Sequence, residues 1–115
     1  MTEHSIQAAF IQWVRIAEKQ DERLKLLFHP ANGGARSLLT AVKMKQLGVV
    51  RGVPDVMLPV ASCGFNGLAI EFKSGKGKTS EFQLEYLNLL SRQNWFVVIC
   101  TDTDAAIRTV KDYLR

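Results

Sequence analysis

Residues 53–73 constrain the fold more than any other part of the chain. Two apolar runs, 53–60 and 68–73, flank a turn over 61–67, and Asn66-Gly67 is a strong two-residue hairpin signal. Runs of this length predict an antiparallel pair of strands. Pro54 falls near the start of the first run, where a missing N–H is tolerated. Side chains alternate along a strand, so Leu68, Ile70 and Phe72 supply one core-facing side, and Ala69, Glu71 and Lys73 share the other.

Helical signals surround this hairpin. Ile6, Phe10, Trp13, Val14 and Ala17 recur at three- and four-residue steps and predict a helix over 2–19. Residues 24–28 read as a short strand, broken by Pro30 and the Gly33-Gly34 pair. Ser37 is placed to cap a helix running to about Leu47, with Gly48 ending it. Ser80 and Gln83 have capping-box spacing and open a helix to about Arg92. Residues 95–100 form an apolar strand, and Asp102 caps a last helix ending near Tyr113. The order α, β, α, β, β, α, β, α predicts an α/β class with a mixed central sheet flanked by helices.

With 115 residues, of which 47% are hydrophobic, the chain suits one domain, residues 1–115, able to bury its own core. Its apolar runs fall short of the roughly 18–20 residues that a membrane helix needs, and Glu3, Gln7, Gln12 and Arg15 do not suit a secretory leader. No membrane association is expected, and the location expected is cytoplasmic. Cys63 and Cys100 match no metal or redox spacing, and Cys100 ends an apolar run as a buried free thiol would, with a disulfide between the two as the alternative that the expected location disfavours. The net charge of +4 and pI of about 9.3 favour polyanions, because contacts to phosphates release condensed counterions.

Chemistry converges on three places: Gly52-Val53-Pro54-Asp55, Glu71-Phe72-Lys73, and Glu3. Folding back near Asn66-Gly67 brings Asp55 toward the Glu71 end of its partner strand, so two carboxylates and an ammonium meet. Carboxylate oxygens suit hard divalent cations, and Asp55, Glu71 and the Phe72 carbonyl form a candidate ligand set. Lys73 is placed to orient a water or to stabilise charge growing on phosphorus. Each part alone has a plain structural reading, a turn for Asp55 and a solvated ion pair for Glu71 and Lys73. Their joint occurrence points to a site. Glu3 and Gln7 border the core-facing stripe of the first helix, where Glu3 also suits the helix dipole. Gln83 has a capping role, and His29 and His4 are set aside as incidental. Arg36, Arg51, Lys76 and Lys78 are candidate phosphate contacts, as are Lys43 and Lys45, with solubilising surface charge as the alternative.

An Asp after proline followed by Glu-x-Lys on the next strand resembles the PD-(D/E)XK nuclease superfamily. The fuller pattern is similar to its VRR-NUC family. The match runs through Glu3 with Gln7, Asn32 with Gly33 and Arg36, the segment Gly48-Val49-Val50-Arg51-Gly52-Val53-Pro54-Asp55-Val56, Glu71-Phe72-Lys73, and Gln83. The resemblance implies a restriction-endonuclease-like core and a divalent-metal site using Mg²⁺, with Mn²⁺ as substitute. Asp55, Glu71 and Lys73 fall on the catalytic positions, Glu3 on the acidic residue of the first helix, and Gln83 on a glutamine found near such sites.

The function this resemblance implies is that of a metal-dependent DNA endonuclease. Stand-alone members of the family are associated with phage and bacterial DNA repair or recombination, and some look like Holliday-junction resolvases acting as symmetric dimers. A two-fold homodimer would present two sites to two symmetric strands of branched DNA. The alternatives are a nuclease for flaps or other branched DNA with the same site, and a DNA-binding module without catalysis.

Overall fold

The structure is a computed structural model that describes residues 1–30 and 38–115. Along these residues run α1 (Glu3–Ala17), a 3₁₀ helix (Glu22–Leu26), α2 (Leu38–Gln46), β1 (Val56–Leu58), β2 (Gly67–Phe72), α3 (Glu81–Arg92), β3 (Trp95–Cys100) and α4 (Thr103–Tyr113). Among the described residues the sheet has three strands in the order β1-β2-β3, with β1 antiparallel and β3 parallel to β2. This is the expected mixed sheet with helices around it. Among the same residues, no helix is long and apolar enough to cross a membrane. Ser37, Asn32, Gly33 and Arg36 lie outside the described residues.

Helix α1 begins in a capping box: the Thr2 hydroxyl accepts from the Ser5 N–H, and the Ser5 hydroxyl accepts from the Thr2 N–H, both at 3.0 Å. Its stripe Ile6, Phe10 and Val14 is buried against Leu68, Ile70 and Phe72 of β2 and Ala106, Val110 and Tyr113 of α4. Each large side chain buried in this way contributes about 1.5–3 kcal/mol. Helix α4 is capped by Asp102, which accepts from the Ala105 N–H at 2.7 Å. The Thr103 hydroxyl donates to the Ile6 carbonyl and ties α4 to α1.

Three expectations change. The segment 24–28 is not a strand. Asp21 accepts from the Arg23 N–H and starts a 3₁₀ helix, and Leu24 and Leu27, three positions apart, are buried while Leu26 and Phe28 stay exposed. Only Phe28 pairs with the sheet, through an isolated bridge to Met57.

The first hairpin strand is three residues long, Val56–Leu58, rather than the whole of 53–60. Val53 and Pro54 are buried as its approach, and the Pro54 nitrogen has no hydrogen to give a ladder.

The turn sits at Cys63-Gly64 instead of Asn66-Gly67. Both residues have positive φ, 52° and 81°, and Ser62 and Phe65 exchange two backbone hydrogen bonds around them, at 3.0 and 2.8 Å. Asn66 instead joins the α3–β3 connection: its N–H donates to the Asn94 carbonyl and its amide to the Gln93 carbonyl. Gly67 lies in β2 under the Trp95 ring, which a Cβ would meet at 2.6 Å.

Both faces of β2 are closed, since all six of its residues are buried. The sheet therefore carries Glu71 into the interior, at 1% exposure.

Candidate active site

The register of β1 against β2 pairs Val56 with Ile70, and one step further sets Asp55 opposite Glu71. Asp55 is fixed there by its own side chain: Oδ2 accepts from the Phe72 N–H at 2.7 Å. The chain reaches this position through Gly52, at φ +79°. A Cβ on Gly52 would stand 2.4 Å from the Phe82 carbonyl oxygen. The absence of a side chain thus lets the segment before Asp55 press against the first turn of α3, which carries Gln83.

Glu71 sits beside Asp55, close enough for the two to interact. Among the described residues, neither of its two buried carboxyl oxygens has a hydrogen-bond partner. Burial pushes the Glu71 carboxyl up to about 9, and the neighbouring Asp55 carboxylate adds to the rise; the Lys73 charge opposes it. Of the two carboxyls only Glu71 is buried, Asp55 being half-buried, and an ionised Glu71 would have a single ammonium at 4.0 Å to offset its charge.

Lys73 closes the cluster. Its Nζ donates to Gln83 Oε1 at 3.0 Å and lies 3.6 Å from Glu3 Oε1 and 4.0 Å from Glu71 Oε2. The same Gln83 oxygen accepts from the Ser80 N–H at 2.9 Å, while the Ser80 hydroxyl accepts from the Gln83 N–H. One atom of Gln83 thus both completes the helix cap and contacts Lys73.

A cleft of about 700 Å³ is lined by Glu3, Gln7, His29, Asp55, Phe72, Lys73 and Gln83, among others, whereas the buried Glu71 is not part of its lining. Phe72 belongs to this lining although its ring is buried against Phe10, at a centroid distance of 5.6 Å. His29, set aside at the sequence level, is part of the site: its Nδ1 is 2.6 Å from the Asp55 carbonyl oxygen and 3.1 Å from the Gln7 amide. Its signal was hidden because its partner is a backbone carbonyl, which no side-chain pattern reveals. His4 also lines the cleft.

The basic candidates are placed differently. Arg51 does not line the cleft, and its guanidinium stacks 4.5 Å over the Phe82 ring. Lys76 and Lys78 are exposed on the loop that follows Lys73, and Lys43 and Lys45 are exposed on α2. Trp13 packs against Phe10 and Trp95 covers Gly67, as core residues do, whereas Tyr86 is half-buried and lines a groove with Arg51 and Phe82. Both cysteines are free thiols, Cys63 exposed and Cys100 buried.

The residues present fit a hard divalent cation. Among the described residues, no group of three or more His, Cys, Asp or Glu side chains forms a ready-made cage. A small ion that keeps several waters needs only one or two carboxylates, and Glu71 beside Asp55 is such a pair.

A family profile described as the VRR-NUC domain matches residues 1–103. A solved structure described as "VRR_NUC domain protein" superposes with a TM-score of 0.80 at 24% sequence identity, covering 98% of this chain and 88% of the other. At that identity the likeness carries the fold. Among curated proteins, none matches the chain.

Proposed function

Because this chain belongs to the VRR-NUC domain family, a nuclease-type family, we propose that it is a metal-dependent DNA endonuclease in which Asp55, Glu71 and Lys73 form the catalytic centre. The observation that carries the reading is the buried Glu71 carboxyl, whose oxygens lack a hydrogen-bond partner and whose ionised form is disfavoured until a cation arrives, set beside Asp55 and near a Lys73 ammonium held by Gln83 and Glu3. Structural ion pairs are normally satisfied within the protein. A buried carboxylate left open toward a second one suits a cation that arrives with the substrate.

Asp55, Glu71 and the Phe72 carbonyl would hold Mg²⁺, or Mn²⁺ in its place, and Glu3 stands near enough to Lys73 to assist. When bound, such an ion lowers the pKa of a bound water and neutralises charge on the scissile phosphate. The protein's own part is orientation. The Phe72 N–H fixes one oxygen of Asp55. Gln83 and Glu3 aim Lys73, whose ammonium orients the attacking water and stabilises the charge that develops on phosphorus. Arg36, Arg51, Lys76 and Lys78 hold the DNA backbone. The loop of Lys76 and Lys78 leaves the sheet directly after Lys73, which supports this role for it.

The domain is taken as residues 1–115. This is supported by the packing of α4, which lies mostly beyond the matched segment, into the same core as α1 and β2. The substrate proposed is branched DNA, Holliday junctions above all, cut by a homodimer in repair or recombination. Self-association is supported by the exposed apolar side chains Leu39, Val42, Leu47, Val50, Phe82 and Leu89 on α2, α3 and the segment between α2 and β1. A labelled panel of four-way junction, flap, splayed arm, duplex and single strand tests it. Paired symmetric nicks in the junction are expected. Efficient cutting of flaps with the junction left intact would contradict the resolvase assignment and keep the nuclease.

A further inference from the structure

We infer that His29 is a positioning residue that fixes the Asp55 main chain in the site through its Nδ1–H. The inference rests on the proposed metal-dependent reading and adds to it a residue outside the Asp-Glu-Lys set. The Nδ1 atom lies 2.6 Å from the Asp55 carbonyl oxygen. A carbonyl oxygen only accepts, so Nδ1 carries the hydrogen. The Gln7 side-chain amide meets the same nitrogen at 3.1 Å. It is the amide nitrogen, Nε2, that stands there, and two donors cannot share that contact; an Nδ1–H therefore requires the Gln7 amide to be turned over, oxygen toward the ring, an assignment fixed by the hydrogen-bond network. The ring thus joins α1, through Gln7, to the residue before β1, through Asp55.

This contact completes the constraints on Asp55. Its carboxylate is held by the Phe72 N–H and its carbonyl by His29, so both ends of the residue are fixed independently. Asp55 lies one residue ahead of β1, outside the ladder, and Pro54 before it has no N–H with which to anchor the approach. A carboxylate that must meet an ion with near-octahedral demands gains from a fixed main chain. His29 is exposed, and its ring adds little to the core. Its substitution is therefore expected to spare folding.

The test uses the difference between two amides. An Asn side chain places its NH₂ where Nδ1 stands, and a Gln side chain places its NH₂ near the position of Nε2. Wild type, His29→Asn, His29→Gln, His29→Ala and Asp55→Ala are titrated with Mn²⁺ by calorimetry, and the histidine tautomer is read by ¹⁵N NMR on metal-free wild type. The expected result is an Nδ1–H tautomer, Mn²⁺ affinity within about threefold of wild type for His29→Asn, and a loss of about ten- to a hundredfold for His29→Gln and His29→Ala. Retention by His29→Gln with loss in His29→Asn, wild-type affinity in all three variants, or an Nε2–H tautomer would each overturn the assignment of His29 alone. Wild type that binds Mn²⁺ no better than Asp55→Ala would overturn the metal reading and this inference with it.

Discussion

Gln83 and Lys73 share a single hydrogen bond that couples a helix cap to the candidate active site. One oxygen, Gln83 Oε1, accepts from Lys73 Nζ at 3.0 Å and from the Ser80 N–H at 2.9 Å. The start of α3 therefore sets where the Lys73 ammonium stands.

Replacing Gln83 tests this coupling. Gln83→Ala removes both contacts and is expected to cost about 1 kcal/mol of stability through the lost half of the capping box. It is also expected to lower the cleavage rate by about tenfold or more, since Lys73 keeps only Glu3 and Glu71 as partners. Gln83→Glu keeps an oxygen at the same place and should restore the cap in urea unfolding. A Gln83→Ala variant with reduced stability and undiminished cleavage would separate the two roles and remove Gln83 from the site.

The buried Glu71 predicts an inverted pH dependence in the metal-free protein. Its carboxyl is pushed up to about 9 in the folded chain, against 4.5 as the ordinary value. A raised carboxyl favours the folded state when protonated, so the stability is fully present below 4.5 and is lost as pH rises toward 9. The slope reaches about 1.4 kcal/mol per pH unit, which amounts to a cost on the order of 3 kcal/mol at about pH 7. Denaturant unfolding in EDTA should show this decline for wild type and not for Glu71→Gln, which should be the more stable of the two at neutral pH. Saturating Mg²⁺ should flatten the wild-type curve. Equal, flat profiles for both proteins in EDTA would refute the placement of Glu71 as an uncompensated carboxyl.

Gly52 and Gly48 both have positive φ, +79° and +97°, but differ in their surroundings. Nothing lies within 4 Å of a Cβ on Gly48, so Gly48→Ala is expected to cost about 1 kcal/mol from backbone strain. At Gly52 the Phe82 carbonyl oxygen would be 2.4 Å away. Gly52→Ala must then push Asp55 and α3 apart, at a cost above about 3 kcal/mol with loss of cleavage. Thermal unfolding of the two variants side by side checks the contrast.

The two thiols should separate kinetically. Cys63 is exposed, whereas Cys100 is buried and burial pushes its thiol above the ordinary range. One equivalent should react promptly with a thiol reagent in native protein, and the second only on unfolding. Cys63→Ser should abolish the fast phase.

Asp55, Glu71 and Lys73 were legible because strand alternation and antiparallel register are rules of period two, and a run of Gly-Val-Pro-Asp before one strand and Glu-Phe-Lys in the next expresses both. Other features depended on tertiary partners. The Leu24, Leu26, Phe28 alternation suits a strand, yet the chain buries Leu24 and Leu27, the spacing of a 3₁₀ turn. Asn66-Gly67 carries the stronger local turn preference, but Trp95 needs the space above Gly67 and Asn66 is engaged by Gln93 and Asn94. Cys63 takes a positive φ that its residue type does not announce. The burial of Glu71 was also invisible, because the local pattern shows that it shares a face with Lys73 but not that the face is closed.

The central claim is that this centre hydrolyses DNA with a divalent cation. The most direct measurement is the cleavage of labelled branched DNA by wild type, Glu71→Gln and Lys73→Ala, each with Mg²⁺ and with EDTA. The account predicts cutting by wild type in Mg²⁺, none in EDTA, and a loss of about a hundredfold or more in both folded variants. Cutting that persists in EDTA or in Lys73→Ala, or folded wild type that cuts no DNA with either Mg²⁺ or Mn²⁺, would contradict it.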